Sequence, residues 1–182
     1  MIETSAEHNT RLTRTWIYLA LLIFIVGLTI FPYLGLQDFN TKGEPREAVV
    51  ASTILESGNW ILPRNNGGET AYKPPMLHWC VAALSAPLGK VSEYTARIPS
   101  AVAATILALM TFLFFAKRSD VQQGFWASLI FLTTFEVHRA AATCRVDMLL
   151  TLFIVGALYQ LYQWYEREMK GVPLLAILFM SA

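Results

Sequence analysis

The chain has 182 residues, of which 55% are hydrophobic and 15% charged, and its formal net charge is +1 at pH 7. Soluble domains carry roughly 25% charged residues, so this composition excludes an ordinary soluble domain. The near-neutral charge gives no indication of a nucleic-acid partner, and we expect none. Apolar runs long enough to cross a bilayer recur along the chain. We therefore expect an all-α, polytopic integral membrane protein surrounded by membrane lipids.

The first predicted span covers residues 16–36 and follows a polar N-terminal segment. This apolar run is too long for the core of an ordinary signal peptide and has no small-residue cleavage site behind it, so we expect a retained helix. Further spans are predicted at residues 98–116, 121–137, 148–164 and 172–182. Because the chain ends inside the last run, we expect it to be the N-terminal part of a longer transmembrane domain.

Basic residues flank the predicted spans on one side, since they precede the first span and follow the second and the fourth. They are Arg11, Arg14, Lys117, Arg118, Arg167 and Lys170. Cytoplasmic loops are enriched in such residues, so we expect the N-terminus in the cytoplasm of a cell with a plasma (inner) membrane. The polar segments 37–97 and 138–147 are then expected on the extracytoplasmic face.

A helix lying in the membrane interface is predicted for residues 45–57. Pro45 suits the first turn of a helix and Gly58 can end one. Ala48, Ala51, Ile54 and Leu55 form an apolar stripe along it. The sequence Asn66-Gly67-Gly68 predicts a turn after this helix.

The apolar segment 76–88 poses a question of topology. It has only about 13 residues, too few to cross a bilayer comfortably. Counting it as a span would also move Lys117 and Arg118 to the outer face. We therefore predict a second interfacial helix, with Trp79 at headgroup depth and with Lys73 and His78 directed toward water.

Glu44 is the leading candidate acid, because it follows the first span and stands at a predicted helix start. A carboxylate there could act as a general base or hold a metal, or could simply be an N-terminal helix charge. Asp38, closer to the membrane, is the alternative acid. Lys73 precedes two prolines that stiffen the backbone, so it could pair with a lipid phosphate, or it could be an ordinary interfacial lysine.

The second outer segment carries a further charged cluster. Its cations suit a phosphate or pyrophosphate, and arginine binds such groups with bidentate geometry. The cluster consists of His138, Arg139, Arg145 and Asp147. Asp147 opens the fourth span, where a helix N-terminus stabilises its charge, so a structural role is also open. His78 and His138 show no metal-binding spacing, and Cys80 and Cys144 are read as small buried hydrophobes.

Four segments occur in an order that resembles a known family. They read GEPREAVVASTILESGNWILP, AYKPPMLHW, ARIPSA and RVDMLLTLF. Together they resemble the N-terminal part of GT-C glycosyltransferases, over roughly residues 15–165. The nearest branch is the bacterial aminoarabinose transferase and protein mannosyltransferase-like group. The resemblance implies an inverting enzyme that passes a sugar from a polyprenyl-phosphate donor to a lipid or protein acceptor at the outer face.

The resemblance also implies roles for single residues. Glu44 falls on the acidic motif of the first outer loop, Asp147 on the acid of the second, and both are expected to be catalytic. Lys73 falls on the lysine beside the donor phosphate and Arg97 on the arginine of a similar motif, so both are expected to bind substrate. Apart from the resemblance, Arg46, Arg139, His138 and Asp38 are also expected substrate-binding residues.

Two positions depart from the family pattern. Gly43 stands where the family often has aspartate, so Glu44 acts alone or Asp38 or Glu47 substitutes. Tyr72 stands where the aminoarabinose branch has glutamate, which leaves the metal ligands unknown and a divalent cation open. No other cofactor is expected. The alternative function is a non-catalytic, flippase-like or scaffold protein that binds polyprenyl lipid and needs the cations but not Glu44.

Overall fold

The computed structural model describes residues 5–39, 41, 43–66, 68–166, 168 and 174–181. Within these ranges the regular structure is helical, apart from an isolated bridge between Arg64 and Thr70. The helices are α1 (Ser5–Thr29), α2 (Gly43–Ser57), α3 (Met76–Ser85), α4 (Glu93–Arg118), α5 (Val121–Thr133), α6 (Phe135–Ala141), α7 (Val146–Glu166) and α8 (Leu174–Ser181). The prediction of an all-α architecture is confirmed.

Three helical segments are long and apolar enough to cross a membrane, and they overlap the first, second and fourth predicted spans. They are Asn9–Tyr33, Glu93–Arg118 and Val146–Glu166. The chain is therefore an integral membrane protein with several spans. Of the predicted fifth span, the structure describes only the eight residues of α8, about two turns of helix.

The third predicted span, residues 121–137, is wrong as a single helix. The helix α5 has 13 residues, about 20 Å of rise, against a hydrocarbon core of about 30 Å. The backbone leaves the helical region at Thr134, where ψ is 126°. The hydroxyls of Thr133 and Thr134 donate to carbonyls one turn earlier, at 2.8 and 2.9 Å, a pattern that competes with a continuing helix.

The helix α4 is the centre of the bundle and contacts α1, α3, α5, α6 and α7. Its buried face is rich in alanine, and small residues allow neighbouring helix backbones to approach closely. Ser92 caps it: the Ser92 hydroxyl accepts from the Thr95 N–H, while the Thr95 hydroxyl accepts from the Ser92 N–H. This cap sets the start of α4 and therefore the position of the buried Arg97 on its first turns.

The outer loop between α1 and α4 folds against the end of the bundle. The helix α2 begins at Gly43, two residues before its predicted start, and ends at Gly58, whose φ of 67° is the left-handed conformation that glycine favours. The chain then turns between Asn65 and Glu69, as predicted, although Gly67 lies outside the described residues. The helix α3 continues into a short 3₁₀ turn and contacts both α2 and α4.

The basic residues at the opposite end of the bundle lie close together. The Arg11 guanidinium donates to the carbonyl of Ala116 at 3.0 Å, which joins the start of α1 to the end of α4. Arg118 binds Glu166 at 2.7 Å and packs over the rings of Phe114 and Tyr162. Arg167 and Lys170, which belong to the same predicted cluster, lie outside the described residues.

The contact between α4 and α5 yields a prediction on stability. A Cβ added at Gly124 would lie 2.7 Å from the carbonyl oxygen of Phe112 and 3.0 Å from the nitrogen of Ala116. We expect Gly124→Ala to lower the free energy of unfolding by about 1–3 kcal/mol, because the two backbones must separate. Denaturant unfolding in detergent measures this. The control is Gly27→Ala, where an added Cβ meets nothing within 4 Å; equal effects of the two changes would contradict the prediction.

Candidate active site

The first cluster of the site is a buried ion pair between α2 and α4. The Arg97 Nε lies 2.9 Å from Oε1 of Glu44, and the Arg97 Nη2 lies 3.4 Å from Oε2. Glu44 is 0% exposed and Arg97 is 3% exposed. Oε1 of Glu44 also accepts the backbone N–H of Cys144 at 2.9 Å. One carboxylate thus joins α2, α4 and the segment that precedes α7.

Arg97 satisfies its remaining donors on the segment that follows α1. Its Nη1 donates to the carbonyls of Leu34 and Gln37, both at 2.7 Å, and its Nη2 donates to the carbonyl of Asp38 at 3.1 Å. A guanidinium engaged in this way has no free edge for a substrate phosphate. The predicted substrate-binding role of Arg97 does not fit this geometry, and its contacts are those of a structural residue.

The predicted role of Glu44 as general base does not fit the structure either, because its carboxylate oxygens are already engaged. A base must come within hydrogen-bonding reach of the proton it abstracts. Both oxygens of Glu44 are buried and already accept hydrogen bonds from Arg97 or Cys144. The structure therefore gives Glu44 the geometry of an anchor between helices.

A second ionic cluster lies one helical turn further along α2. Oε1 of Glu47 lies 2.9 Å from Lys73 Nζ and 3.3 Å from Arg46 Nη2, and Oε2 lies 2.8 Å from His78 Nε2. Glu47 and His78 are buried, whereas Lys73 is 28% and Arg46 51% exposed at the side chain. These four side chains line one small cleft, which we call the ionic pocket.

The carboxyl of Glu47 is held in its charged form. Burial alone would raise its pKa, but the hydrogen bonds from His78 and Lys73 and the charge of Lys73 outweigh burial and lower the pKa to about 2. A carboxylate with so low a pKa is a weak base at neutral pH. Glu47 is therefore suited to holding cations rather than to accepting a proton.

The two ion pairs are electrostatic neighbours. Both act on the thiol of Cys144, whose pKa is raised to about 12 by burial and by the negative charges of Glu44 and Glu47, against a smaller opposite effect of Arg97 and Lys73. The segment at Cys144 therefore lies close to both clusters, at one end of the bundle.

The remaining predicted site residues stay apart from these clusters. The Asp38 side chain is exposed, and only its carbonyl takes part, as an acceptor for Arg97. Arg139 pairs with Glu136 at 2.6 Å, and His138 is exposed on the same short helix. Asp147 is exposed and pairs with the Nε of Arg145 at 2.9 Å.

An apolar groove of about 440 Å³ begins beside the ionic pocket. It runs between the start of α3 and the helices α7 and α8, and its lining is almost entirely hydrocarbon and aromatic. Pro74, the residue after Lys73, lies at one side of it, and Val146, the residue before Asp147, lies at the other. A charged pocket and an apolar groove thus meet at the Lys73-Pro74 step.

Glu47 and His78 take a larger part in the site than the sequence predicts. The sequence offers Glu47 only as a substitute acid, and the prediction that His78 points toward water is wrong because His78 is 1% exposed. A signal was present in the spacing. Glu47 stands four residues before Ala51 on the apolar stripe of α2, and His78 stands three residues before the buried Val81 on α3. Ionisable residues on two buried faces indicate that they face each other.

The described residues contain no cluster of metal-binding side chains. Within the described ranges, no three histidine, cysteine, aspartate or glutamate side chains converge in a way that could hold a metal ion. The divalent cation that the sequence leaves open stays an expectation, and its ligands stay unknown.

The fold and the site together define an integral membrane protein with an ionic pocket and an adjoining apolar groove at one end of its helix bundle. The chain belongs to the dolichyl-phosphate-mannose-protein mannosyltransferase family, whose pattern matches residues 72–182. The matched region begins beside Lys73 and includes Arg97 and Asp147. The resemblance to GT-C glycosyltransferases is thereby confirmed.

The chain is also similar to individual curated proteins. The chain is 30% identical over 135 residues to an undecaprenyl phosphate-alpha-4-amino-4-deoxy-L-arabinose arabinosyl transferase of Shewanella sediminis, covering 74% of the chain and 24% of that protein. A protein of the same name from Pseudomonas savastanoi pv. phaseolicola is also 30% identical, over 74% of the chain and 25% of that protein. An uncharacterized protein of Aquifex aeolicus is 26% identical over 88% of the chain and 32% of its own length.

The chain spans about a quarter of the length of these two transferases. No solved structure matches it significantly.

The buried ion pair gives the second prediction. Arg97→Leu leaves the carboxylate of Glu44 buried without its cation, so we expect a loss of about 3–5 kcal/mol in the free energy of unfolding. Denaturant unfolding of the purified protein in detergent measures it. Arg139→Leu is the matched control, because it breaks an exposed pair and should leave stability close to wild type. If the two variants unfold alike, the anchoring role of Arg97 is wrong.

Proposed function

We propose that this chain is the N-terminal part of a membrane glycosyltransferase that takes a sugar from a polyprenyl-phosphate donor and passes it to a lipid or protein acceptor. Family membership and the names of the relatives support this activity and make undecaprenyl phosphate the first donor carrier to test. The alternative, a non-catalytic lipid-binding protein, has no specific observation in its favour.

The observation that carries the proposal is the junction between the ionic pocket and the apolar groove. A polyprenyl-phosphate sugar is an amphiphile with one phosphodiester charge and a long hydrocarbon tail. Lys73 and the half-exposed Arg46 offer cations to the phosphate, and the groove that starts at Pro74 offers an apolar surface to the tail. Pro74 and Pro75, which follow Lys73, restrict the backbone φ angles at this junction.

The proposed chemical step uses this arrangement. The nucleophile of the acceptor attacks the anomeric carbon from the face opposite the phosphate, the bond between that carbon and the phosphate oxygen breaks, and the configuration inverts. Lys73, assisted by Arg46, stabilises the negative charge that develops on the leaving phosphate. Glu44 and Arg97 contribute by holding the loop segments in place.

Asp147 is our candidate for the group that accepts the acceptor's proton. It is exposed and follows the groove residue Val146 in the chain, whereas the carboxylates of Glu44 and Glu47 are buried and paired. The Oδ2 of Asp147 lies 2.9 Å from the Nε of Arg145. Arg139 and His138, on the preceding helix, are candidates for contacts with the acceptor.

We also infer the orientation of the chain. The Arg11–Ala116 and Arg118–Glu166 contacts gather basic residues at the end of the bundle away from Lys73. The preference of such residues for the cytoplasm supports a cytoplasmic N-terminus and an extracytoplasmic site in the plasma (inner) membrane.

Removal of the phosphate-binding charge is the third prediction. Lys73→Ala in the full-length enzyme should weaken binding of undecaprenyl phosphate at least tenfold, since one charge-assisted hydrogen bond contributes about 1.5–3 kcal/mol. Binding is measured by titration of the protein in nanodiscs. Lys90→Ala removes an exposed lysine elsewhere in the same loop and should bind normally. Unchanged affinity of Lys73→Ala would sink the proposed phosphate site.

The fourth prediction concerns the proton acceptor. Asp147→Asn should lower kcat for sugar transfer about 100-fold or more, with donor binding near normal, because positioned base catalysis contributes roughly 10²–10⁴-fold. Radiolabelled sugar transfer measures the rate. Glu56→Gln removes an exposed carboxylate on α2 and serves as the control. Near-normal turnover by Asp147→Asn would exclude it as the base.

A further inference from the structure

In the ionic pocket, the cation Lys73 is bound by Glu47, and Glu47 is bound by the buried His78. Glu47 is 2% exposed and divides its oxygens between two partners: Oε1 binds Lys73 at 2.9 Å and Oε2 binds His78 at 2.8 Å. The three residues come from different segments, namely α2, the loop before Pro74 and α3. Their contacts form a chain from the buried His78 to the partly exposed Lys73.

His78 is fixed as a hydrogen-bond partner of Glu47 alone. Its ring is 1% exposed, and its Nδ1 is buried with no hydrogen-bond partner among the described residues. A buried N–H without an acceptor is costlier than an unused lone pair, so the arrangement favours the tautomer in which Nε2 carries the proton. His78 then donates to Oε2 and sets the direction in which Oε1 points.

Lys73 needs such a partner because its stem is flexible. A lysine ammonium sits on a four-carbon chain and must be restrained to present its charge at one place. Oε1 of Glu47 takes one of its three N–H donors, and no described residue binds the other two, which can reach a phosphate oxygen. The positive charges of Arg46 and Lys73 exceed the negative charge of Glu47 by one. The mouth of the pocket therefore still attracts an anion.

Two roles for Glu47 have opposite consequences for donor binding. If Glu47 competes with the phosphate for Lys73, its neutralisation strengthens donor binding, as simple charge repulsion also predicts. If Glu47 positions Lys73, its neutralisation weakens donor binding, although a negative charge has been removed. The carboxylate of Glu47 is buried and its Oε2 is bound by His78, so its position is fixed. This geometry fits a residue that positions Lys73.

We propose that Glu47 is a positioning residue that holds the ammonium of Lys73 at the mouth of the ionic pocket, and that His78 fixes Glu47 for this task. The proposal rests on the proposed function, in which Lys73 binds the donor phosphate.

The test uses the full-length protein in nanodiscs with undecaprenyl phosphate as the probe. Glu47→Gln, which keeps the shape of the side chain, should weaken binding about tenfold, the equivalent of one charge-assisted hydrogen bond. The double variant Glu47→Gln/Lys73→Ala should bind no more weakly than Lys73→Ala alone, a non-additivity that a purely structural effect would not produce. Unchanged or tighter binding by Glu47→Gln would overturn the proposal.

His78 gives an independent pair of variants. His78→Leu should weaken binding in the same direction, whereas His78→Gln should restore most of it, because its amide nitrogen reaches near the position of Nε2. Equal affinities of His78→Leu and wild type would remove His78 from the proposal. If Lys73→Ala itself binds normally, the phosphate site is wrong; if Lys73→Ala binds weakly and Glu47→Gln binds normally, only the positioning role is wrong.

Discussion

The ion pair between Glu44 and Arg97 is the interaction on which the rest of the structure depends. Breaking a buried pair is costly because it leaves one charge in the interior without compensation. Here the pair also recruits the carbonyls of Leu34, Gln37 and Asp38 and the N–H of Cys144. It therefore fixes the exit of α1, the start of α2, the first turns of α4 and the approach to α7 relative to one another.

That anchoring explains why two glutamates three residues apart have different tasks. Glu44 faces α4 and meets Arg97, whereas Glu47 faces α3 and meets His78 and Lys73. Because Glu44 holds the start of α2 in place, Glu47 reaches the loop before Pro74 at a defined position. The ionic pocket can then lie directly beside the apolar groove, which is the arrangement an amphiphilic donor requires.

Much of this fold could be predicted from apolar run lengths and from a few local signals. Gly58 ends α2 and Asn65–Gly68 forms a turn because backbone preferences act over a few residues. The break at Thr134 escaped prediction, since residues 121–137 are apolar enough for one helix and only the local threonine hydrogen bonds oppose it. Lys73 and Arg46 were expected at the site, whereas the partners of Glu44 and Arg97 depend on packing between segments distant in sequence.

The sequence by itself determined that this is a membrane protein of helices, that its charged residues gather in two outer segments, and that it resembles the GT-C glycosyltransferases. These properties follow from composition, periodicity and local motifs. Only the tertiary structure decided which acid meets which cation. Glu44, Glu47, Lys73, His78 and Arg97 are all ionisable residues of one loop region, and their roles differ because burial and the neighbouring helix, which no local pattern encodes, select each partner.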